Sequence, residues 1–184
     1  MTTQISIMED ESPKVWVECL ASYNAGESVG RWVTVPETVE EMQEEINQVL
    51  KSSKQPFAEE WAFHDSEYFK PFDISEYEDL ENLVKKANII NRVDDIDAFT
   101  AWDATTSDID FLTEDEIIEK FEDEFMGTYR DEKDYAYELM NDCYSVPEHL
   151  SNYIDYASFW RDLTYDGYYS ANAPGMEVYI FRSY

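Results

Sequence analysis

Val15-Trp16-Val17-Glu18-Cys19-Leu20 and Arg31-Trp32-Val33-Thr34-Val35 flank the segment Tyr23-Asn24-Ala25-Gly26-Glu27-Ser28-Val29-Gly30. The flanks are rich in β-branched and aromatic residues, and the intervening segment carries Asn and Gly, so the stretch reads as a β-hairpin with a long loop. Pro36 closes the second run. Thr38-Val39-Glu40-Glu41 then forms a capping box, with Thr at the N-cap and Glu three residues on. Val39, Met42, Ile46 and Val49 follow at helical spacing, and Trp61-Ala62-Phe63-His64-Asp65 gives a third short strand. A β/α unit is therefore expected over residues 14–75, after a polar, disordered leader of residues 1–13 that has no basic start and so does not read as a signal peptide.

Further along, Ser75 and Glu78 make a second capping box, with Tyr77, Leu80, Val84 and Ala87 on one helical face. Thr113 and Glu116 make a third, followed by Ile117 and Phe121. Residues 76–122 read as a small helical unit whose pattern is weakest from Asp94 to Leu112. Residues 123–184 read as an α/β unit. Phe125–Tyr129 is a strand, Ala136, Leu139, Met140 and Cys143 mark a helix, and Ser145-Val146-Pro147-Glu148 caps another through Leu150, Tyr153 and Ile154. Met176–Phe181 is a terminal strand. The fold class is α+β, a chain of three small units without an internal repeat.

The 184 residues hold 42 Asp+Glu against 13 Lys+Arg, a net charge of -29. Domains of this size usually carry a magnitude of about 2–8. Such a chain is repelled by nucleic acid, whose binders neutralise phosphates with Lys and Arg, and by anionic membrane surfaces. A content of 43% hydrophobic and 16% aromatic residues supplies core material and argues against disorder. No apolar run approaches the ~20 residues of a membrane span. Two distant cysteines, Cys19 and Cys143, form no disulfide framework and fit a reducing cytoplasm.

The charge is clustered. Between Arg92 and Lys120 stand Asp94, Asp95, Asp97, Asp103, Asp108, Asp110, Glu114, Asp115, Glu116 and Glu119, with no cation among them; Glu122, Asp123 and Glu124 extend the run. On the first helix Glu37, Glu41 and Glu45 are four apart, as are Glu40 and Glu44; Asp115, Glu119 and Asp123 repeat the spacing. Each such pair destabilises a helix by roughly 0.2–0.5 kcal/mol. A solvated helix face would interleave Lys, and an acidic surface adapted to high salt would spread its acids evenly. The clustering points instead to a partner with a basic groove. Duplex DNA carries two phosphates per base pair, so 42 carboxylates match about 21 base pairs and 29 net charges about 15.

Catalytic and metal chemistry find little support. The five glycines are scattered at 26, 30, 127, 167 and 175, so no phosphate loop exists. Asp108-Ile109-Asp110-Phe111-Leu112-Thr113 lacks the glycine of a calcium loop. His64, His149, Cys19 and Cys143 lack the paired spacing of a zinc site. Neither histidine has a recognisable nucleophile partner, and among so many acids a carboxylate pair carries no information. The chain reads as a non-enzyme without metal or cofactor.

Three stretches resemble the ArdA family of antirestriction proteins. Tyr23–Trp32 resembles its Tyr-Asn-x-Gly hairpin, and Phe63-His64-Asp65 its apolar-His-Asp step. The most specific is Pro147-Glu148-His149-Leu150-Ser151-Asn152-Tyr153-Ile154-Asp155-Tyr156, continuing to Arg161-Asp162-Leu163, which resembles the antirestriction motif. The resemblance spans about residues 14–184. It implies an elongated, homodimeric mimic of bent DNA that occupies the DNA groove of type I restriction-modification enzymes, at their methyltransferase core, to protect mobile DNA. The surface expected to do this comprises Glu40, Glu41, Glu44, Glu45, Asp94, Asp95, Asp97, Asp103, Asp108, Asp110, Glu114, Asp115, Glu116, Glu119, Glu122 and Asp123. Within the motif, Leu150, Tyr153, Ile154, Tyr156 and Phe159 recur at roughly helical spacing and read as a buried or dimer face, with Asp155, Arg161, Asp162 and Leu163 as structural members. The alternative is an acidic binding module for another basic partner, such as a nucleoid protein or a polymerase channel.

Overall fold

The hairpin at the head of the chain forms, and a third strand joins it. In the computed structural model, which describes residues 11–106, 111–144, 146–151 and 153–184, β1 (Lys14–Cys19) lies between β2 (Gly30–Thr34) and β3 (Trp61–Glu67). Both pairings are antiparallel, with Trp16 opposite Trp32 and Val17 opposite Phe63. Period-two alternation puts Val15, Val17 and Cys19 on the buried face. The loop holds a short helix, α1 (Leu20–Asn24), where the sequence suggested only loop. Glu11 and Ser12 precede Pro13, which is buried and accepts a backbone hydrogen bond from Val35; residues 1–10 of the expected leader lie outside the described residues.

Helix α2 (Val39–Lys51) starts where the capping box predicted. Thr38 Oγ1 accepts the Glu41 N–H at 3.3 Å and donates to Glu41 Oε2 at 3.0 Å. Its apolar stripe, Met42, Ile46 and Val49, is buried in one core with Val15, Val17 and Phe63. Helix α3 (Leu80–Arg92) starts later than expected. Ser75 donates to Glu78 through its N–H and its hydroxyl, but this closes a turn ahead of the helix. The N-cap is Asp79, whose Oδ1 accepts from Glu81 and Asn82, as a short acidic side chain at that position should. Tyr77 is therefore outside the helix and 68% exposed, not on its apolar face. Leu83, Val84 and Ala87 of α3 enter the same core as β1 and α2.

That packing redraws the organisation. The chain divides into two compact units, one through Val93 and one from Asp94 to Tyr184. The helices of residues 76–122 are shared between them: α3 belongs to the first, while α4 (Ile96–Asp103) and α5 (Glu114–Glu124) belong to the second. In the second unit an antiparallel sheet of order β4-β6-β5 forms from β4 (Phe125–Tyr129), β5 (Tyr168–Ala173) and β6 (Glu177–Arg182). Rings run continuously from helices to sheet: Phe99 to Phe121 at 5.3 Å, Phe121 to Phe125 at 5.4 Å, and Phe125 to Phe181 at 5.4 Å. Helices α6 (Glu132–Cys143), α7 (Glu148–Ser151) and α8 (Tyr156–Tyr165) complete the unit. The fold is α+β, with eight α-helices and two three-stranded sheets among the described residues.

The hairpin owes its loop geometry to a buried carboxylate. Glu18 is 1% exposed, a rare state for Glu unless it is fully paired. Its Oε2 accepts from the Trp16 indole at 2.7 Å and from the Ser28 hydroxyl at 3.1 Å, and its Oε1 accepts the Val29 N–H at 2.7 Å. Three donors replace the lost water, two of them from the loop itself. Gly30 closes the site. A Cβ there would lie 2.5 Å from Glu18 Oε2, 2.6 Å from Trp16 Nε1 and 2.7 Å from the Val17 carbonyl. One of these is backbone, which cannot swing away. Gly30→Ala should thus destabilise the protein by about 1–3 kcal/mol, read as a lower urea midpoint, and Glu18→Ala should also destabilise it. An unshifted midpoint for Gly30→Ala would show that the hairpin relaxes freely around its carboxylate.

Candidate functional site

The acidic faces sit on helices whose apolar sides are locked into the two cores. On α2, burial of Met42, Ile46 and Val49 turns Glu40, Glu41 and Glu44 to solvent. Glu45 is only half-exposed and pairs with Arg31, which also reaches Gln48. Glu37 precedes the N-cap, so the expected Glu37–Glu41 helical pair does not form. In the second unit Asp94 and Asp97 flank the start of α4 in solvent, while half-buried Asp95 is its N-cap and accepts the Ala98 N–H at 2.9 Å. Asp103 is half-buried at the helix end.

Helix α5 displays the densest array. Ile117, Ile118 and Phe121 face inward, leaving Asp115, Glu116, Glu119, Glu122 and Asp123 exposed and Glu114 half-exposed. Its capping box is complete, with Glu116 Oε2 accepting from Thr113 N and Oγ1 at 2.7 Å each. Acids in that first turn are stabilised by the helix dipole, whereas Glu122 and Asp123 sit at the end where the dipole opposes them. Asp108 and Asp110 lie outside the described residues.

Two phenols of the second unit register the surrounding negative charge. Burial raises the pKa of Tyr179, and the charges of Asp95, Asp97 and Glu177 raise it further. Burial likewise raises Tyr129, with Glu138, Asp142 and Asp134 adding to it. Each phenolate would be both desolvated and repelled.

Glu124 is the exception in its run. It is 3% exposed, accepts the Trp102 indole at 2.7 Å and pairs with Lys120. Neither it nor Glu18 stood out as a buried carboxylate in the sequence. A tryptophan two residues before Glu18 and a lysine four before Glu124 are the only local signals.

The motif of residues 147–163 is not one helix. Helix α7 ends at Ser151 and α8 begins after Asp155, its N-cap, which accepts from Ser158 N at 3.1 Å and Oγ at 2.7 Å. Those hydrogen bonds lower the Asp155 pKa. Leu163 is buried; Ile154, Tyr156 and Phe159 are half-buried. Leu150 and Tyr153, expected on an apolar face, are 45% and 84% exposed: the break before α8 takes them out of its register. With Tyr137 and Tyr144, both also exposed, they give this unit several large apolar residues in solvent. Tyr156 packs edge-on against Tyr137 at 5.3 Å. Arg161 pairs with neighbouring Asp162 at 3.4 Å, both well exposed, a geometry worth little to stability.

Among the described residues no group of three or more His, Cys, Asp or Glu could hold a metal ion, and no helix is long and apolar enough to cross a membrane. His64 is exposed, and its ring meets Tyr23 edge-on at 4.9 Å.

The charge on α5 has a measurable cost. Glu119→Gln with Asp123→Asn removes the Asp115–Glu119 and Glu119–Asp123 repulsions and one charge opposed by the dipole. Stability in low salt should rise by about 0.5–1.5 kcal/mol. A fall in thermal midpoint would mean that these acids have stabilising partners.

No curated protein matches the chain. Residues 15–178 match the sequence family described as antirestriction protein (ArdA). With nearly all of both units inside that match, the chain belongs to the ArdA family of antirestriction proteins.

Proposed function

We propose that the chain is a DNA mimic, occupying the DNA-binding groove of a type I restriction-modification enzyme and blocking its access to DNA. The observation that carries this reading is the exposure of clustered carboxylates on α2, α4 and α5 in a member of an antirestriction family. Acids kept at positions that weaken their own helices are accounted for by a partner that neutralises them. The contact surface comprises the exposed and half-exposed acids from Glu40 to Glu45 and, among the described residues, from Asp94 to Asp123; Asp108 and Asp110 are assigned to it from the sequence alone. On this reading the protein is an inhibitor and not an enzyme, and it works in the cytoplasm without a cofactor.

Competition with DNA for a type I methyltransferase core should be near-stoichiometric and should weaken steeply as salt rises, because screening removes the steering field. Inhibition persisting at a hundredth of the target concentration would mean catalysis. A chain that leaves type I enzymes untouched but binds a nucleoid protein or a polymerase would belong to the second reading.

The proposal includes a homodimer. Tyr137, Tyr144, Leu150 and Tyr153 are exposed on the second unit, and their chemistry is that of an interface core, rich in aromatics and poor in charge. Two-fold pairing doubles the charged surface without lengthening the chain. Tyr153 is the clean probe, because Tyr156 packs on Tyr137 within the protomer. Tyr153→Ser should keep the circular dichroism of the parent and sediment as a monomer. A folded dimer that has lost target binding would make Tyr153 a direct contact.

A further inference from the structure

The first unit holds an open cleft of about 430 Å³ that the charge-mimicry reading does not use. Its lining includes Trp61, Tyr77 and Leu80 together with the acids Glu78, Asp79 and Glu81. Trp61, the first residue of β3, is half-buried, with its ring 4.8 Å from Phe63 and part of its surface on the core. Tyr77 is held over the cleft by the turn ahead of α3. The Phe63 N–H donates to the Glu76 carbonyl at 2.9 Å, tying that turn to the strand, and Glu78 anchors it through Ser75. The carboxylate of Glu76, with a further contribution from Glu60, raises the pKa of the Tyr77 phenol. An exposed aromatic is thus fixed by a hydrogen-bonded turn.

The three acids of the lining are not equivalent. Lys86 Nζ lies 2.8 Å from Glu78 and also donates to the Asp73 carbonyl, so the nearby cation is consumed by the turn. Asp79 spends Oδ1 on two backbone N–H groups, leaving Oδ2 outside those bonds. Glu81, on the first turn of α3, is exposed. Two aromatic side chains beside two carboxylates for which, among the described residues, no ion pair is seen suit a planar cation. A guanidinium stacks on aromatic rings and aims its edge donors at carboxylates, which an ammonium cannot do. An uncharged apolar ligand would leave the carboxylates desolvated, and an anion would be repelled.

We propose that this cleft is a receptor for one arginine side chain of the protein's target. The proposal rests on the reading that the target presents a basic groove. It gives the interaction a shaped anchor beside its diffuse electrostatics, as interfaces concentrate affinity in a few pockets filled by aromatic or arginine side chains.

The test uses the full ¹⁵N-labelled chain titrated with N-acetyl-arginine amide, and in parallel with its uncharged citrulline analogue and with N-acetyl-lysine amide. Arginine should give saturable shifts of the Trp61 indole and the Glu81 and Asn82 amides. Citrulline should give none, and lysine should bind more weakly. Tyr77→Ala/Glu81→Gln should abolish the saturable shifts with the rest of the spectrum unchanged, since both side chains are exposed. The same variant should need about tenfold more protein for half-maximal inhibition of a type I enzyme. Arginine shifts spread over all acidic faces without saturation at Trp61, equal binding of citrulline, or a variant that inhibits as well as the parent would each overturn the arginine receptor. In all three cases inhibition by the parent would leave the mimic reading standing. Failure of the parent chain to inhibit would overturn the mimic reading itself, whatever the titration gave.

Discussion

Repulsion among carboxylates is the constraint under which the rest of this structure is built. At a net charge of -29, the compact state concentrates like charge and is destabilised by it. The counterweight is aromatic. The second unit runs a chain of ring contacts from Phe99 and Trp102 through Phe121 and Phe125 to Phe181, each worth about 0.5–1.5 kcal/mol beyond its buried area. The first unit gathers valines, Met42, Ile46 and Leu83 between one sheet and two helices. Small cores of this kind hold only if every helix presents a continuous apolar stripe, and α2, α3 and α5 do.

Part of the negative charge is placed where the backbone welcomes it. Asp79, Asp95, Asp131 and Asp155 are N-caps accepting helix N–H groups. Glu40, Glu41, Glu114, Asp115 and Glu116 occupy first turns, where the dipole favours anions. Others stand where the backbone does not favour them, as Glu119, Glu122 and Asp123 do at the middle and C-terminal end of α5. This separates acids that build the protein from acids left for the proposed contact surface, and Asp95 and Glu116 fall on both sides of the line.

Glu18 and Glu124 belong to the building set in another way. Each is buried, and each receives an indole N–H at 2.7 Å. In the first unit the carboxylate gathers the hairpin loop around itself, which explains why Gly30 must lack a side chain. In the second it ties α5 to α4 through Trp102. A buried polar network specifies its geometry only when its donors are complete, so the paired tryptophans matter as much as the acids.

The sequence by itself determined the charge and its clustering, the hairpin of β1 and β2, and the starts of α2 and α5. Those features depend on composition or on residues within three or four positions, as at Thr38 and Glu41 or Thr113 and Glu116. The charge clusters that suggested a basic partner were legible for the same reason, and so were the short motifs of the family. Only the tertiary structure decided that α3 joins the first core while α4 and α5 join the second. It alone revealed β5, whose Ser170-Ala171-Asn172-Ala173 carries little strand propensity and is held by pairing with β6. It also decided which carboxylates are spent: Glu45 on Arg31, Glu78 on Lys86, and Glu18 and Glu124 on indoles. Partners such as Trp102 and Glu124 stand 22 residues apart. Local propensity carries no information about contacts formed at that separation, because chain folding, not neighbouring sequence, brings them together.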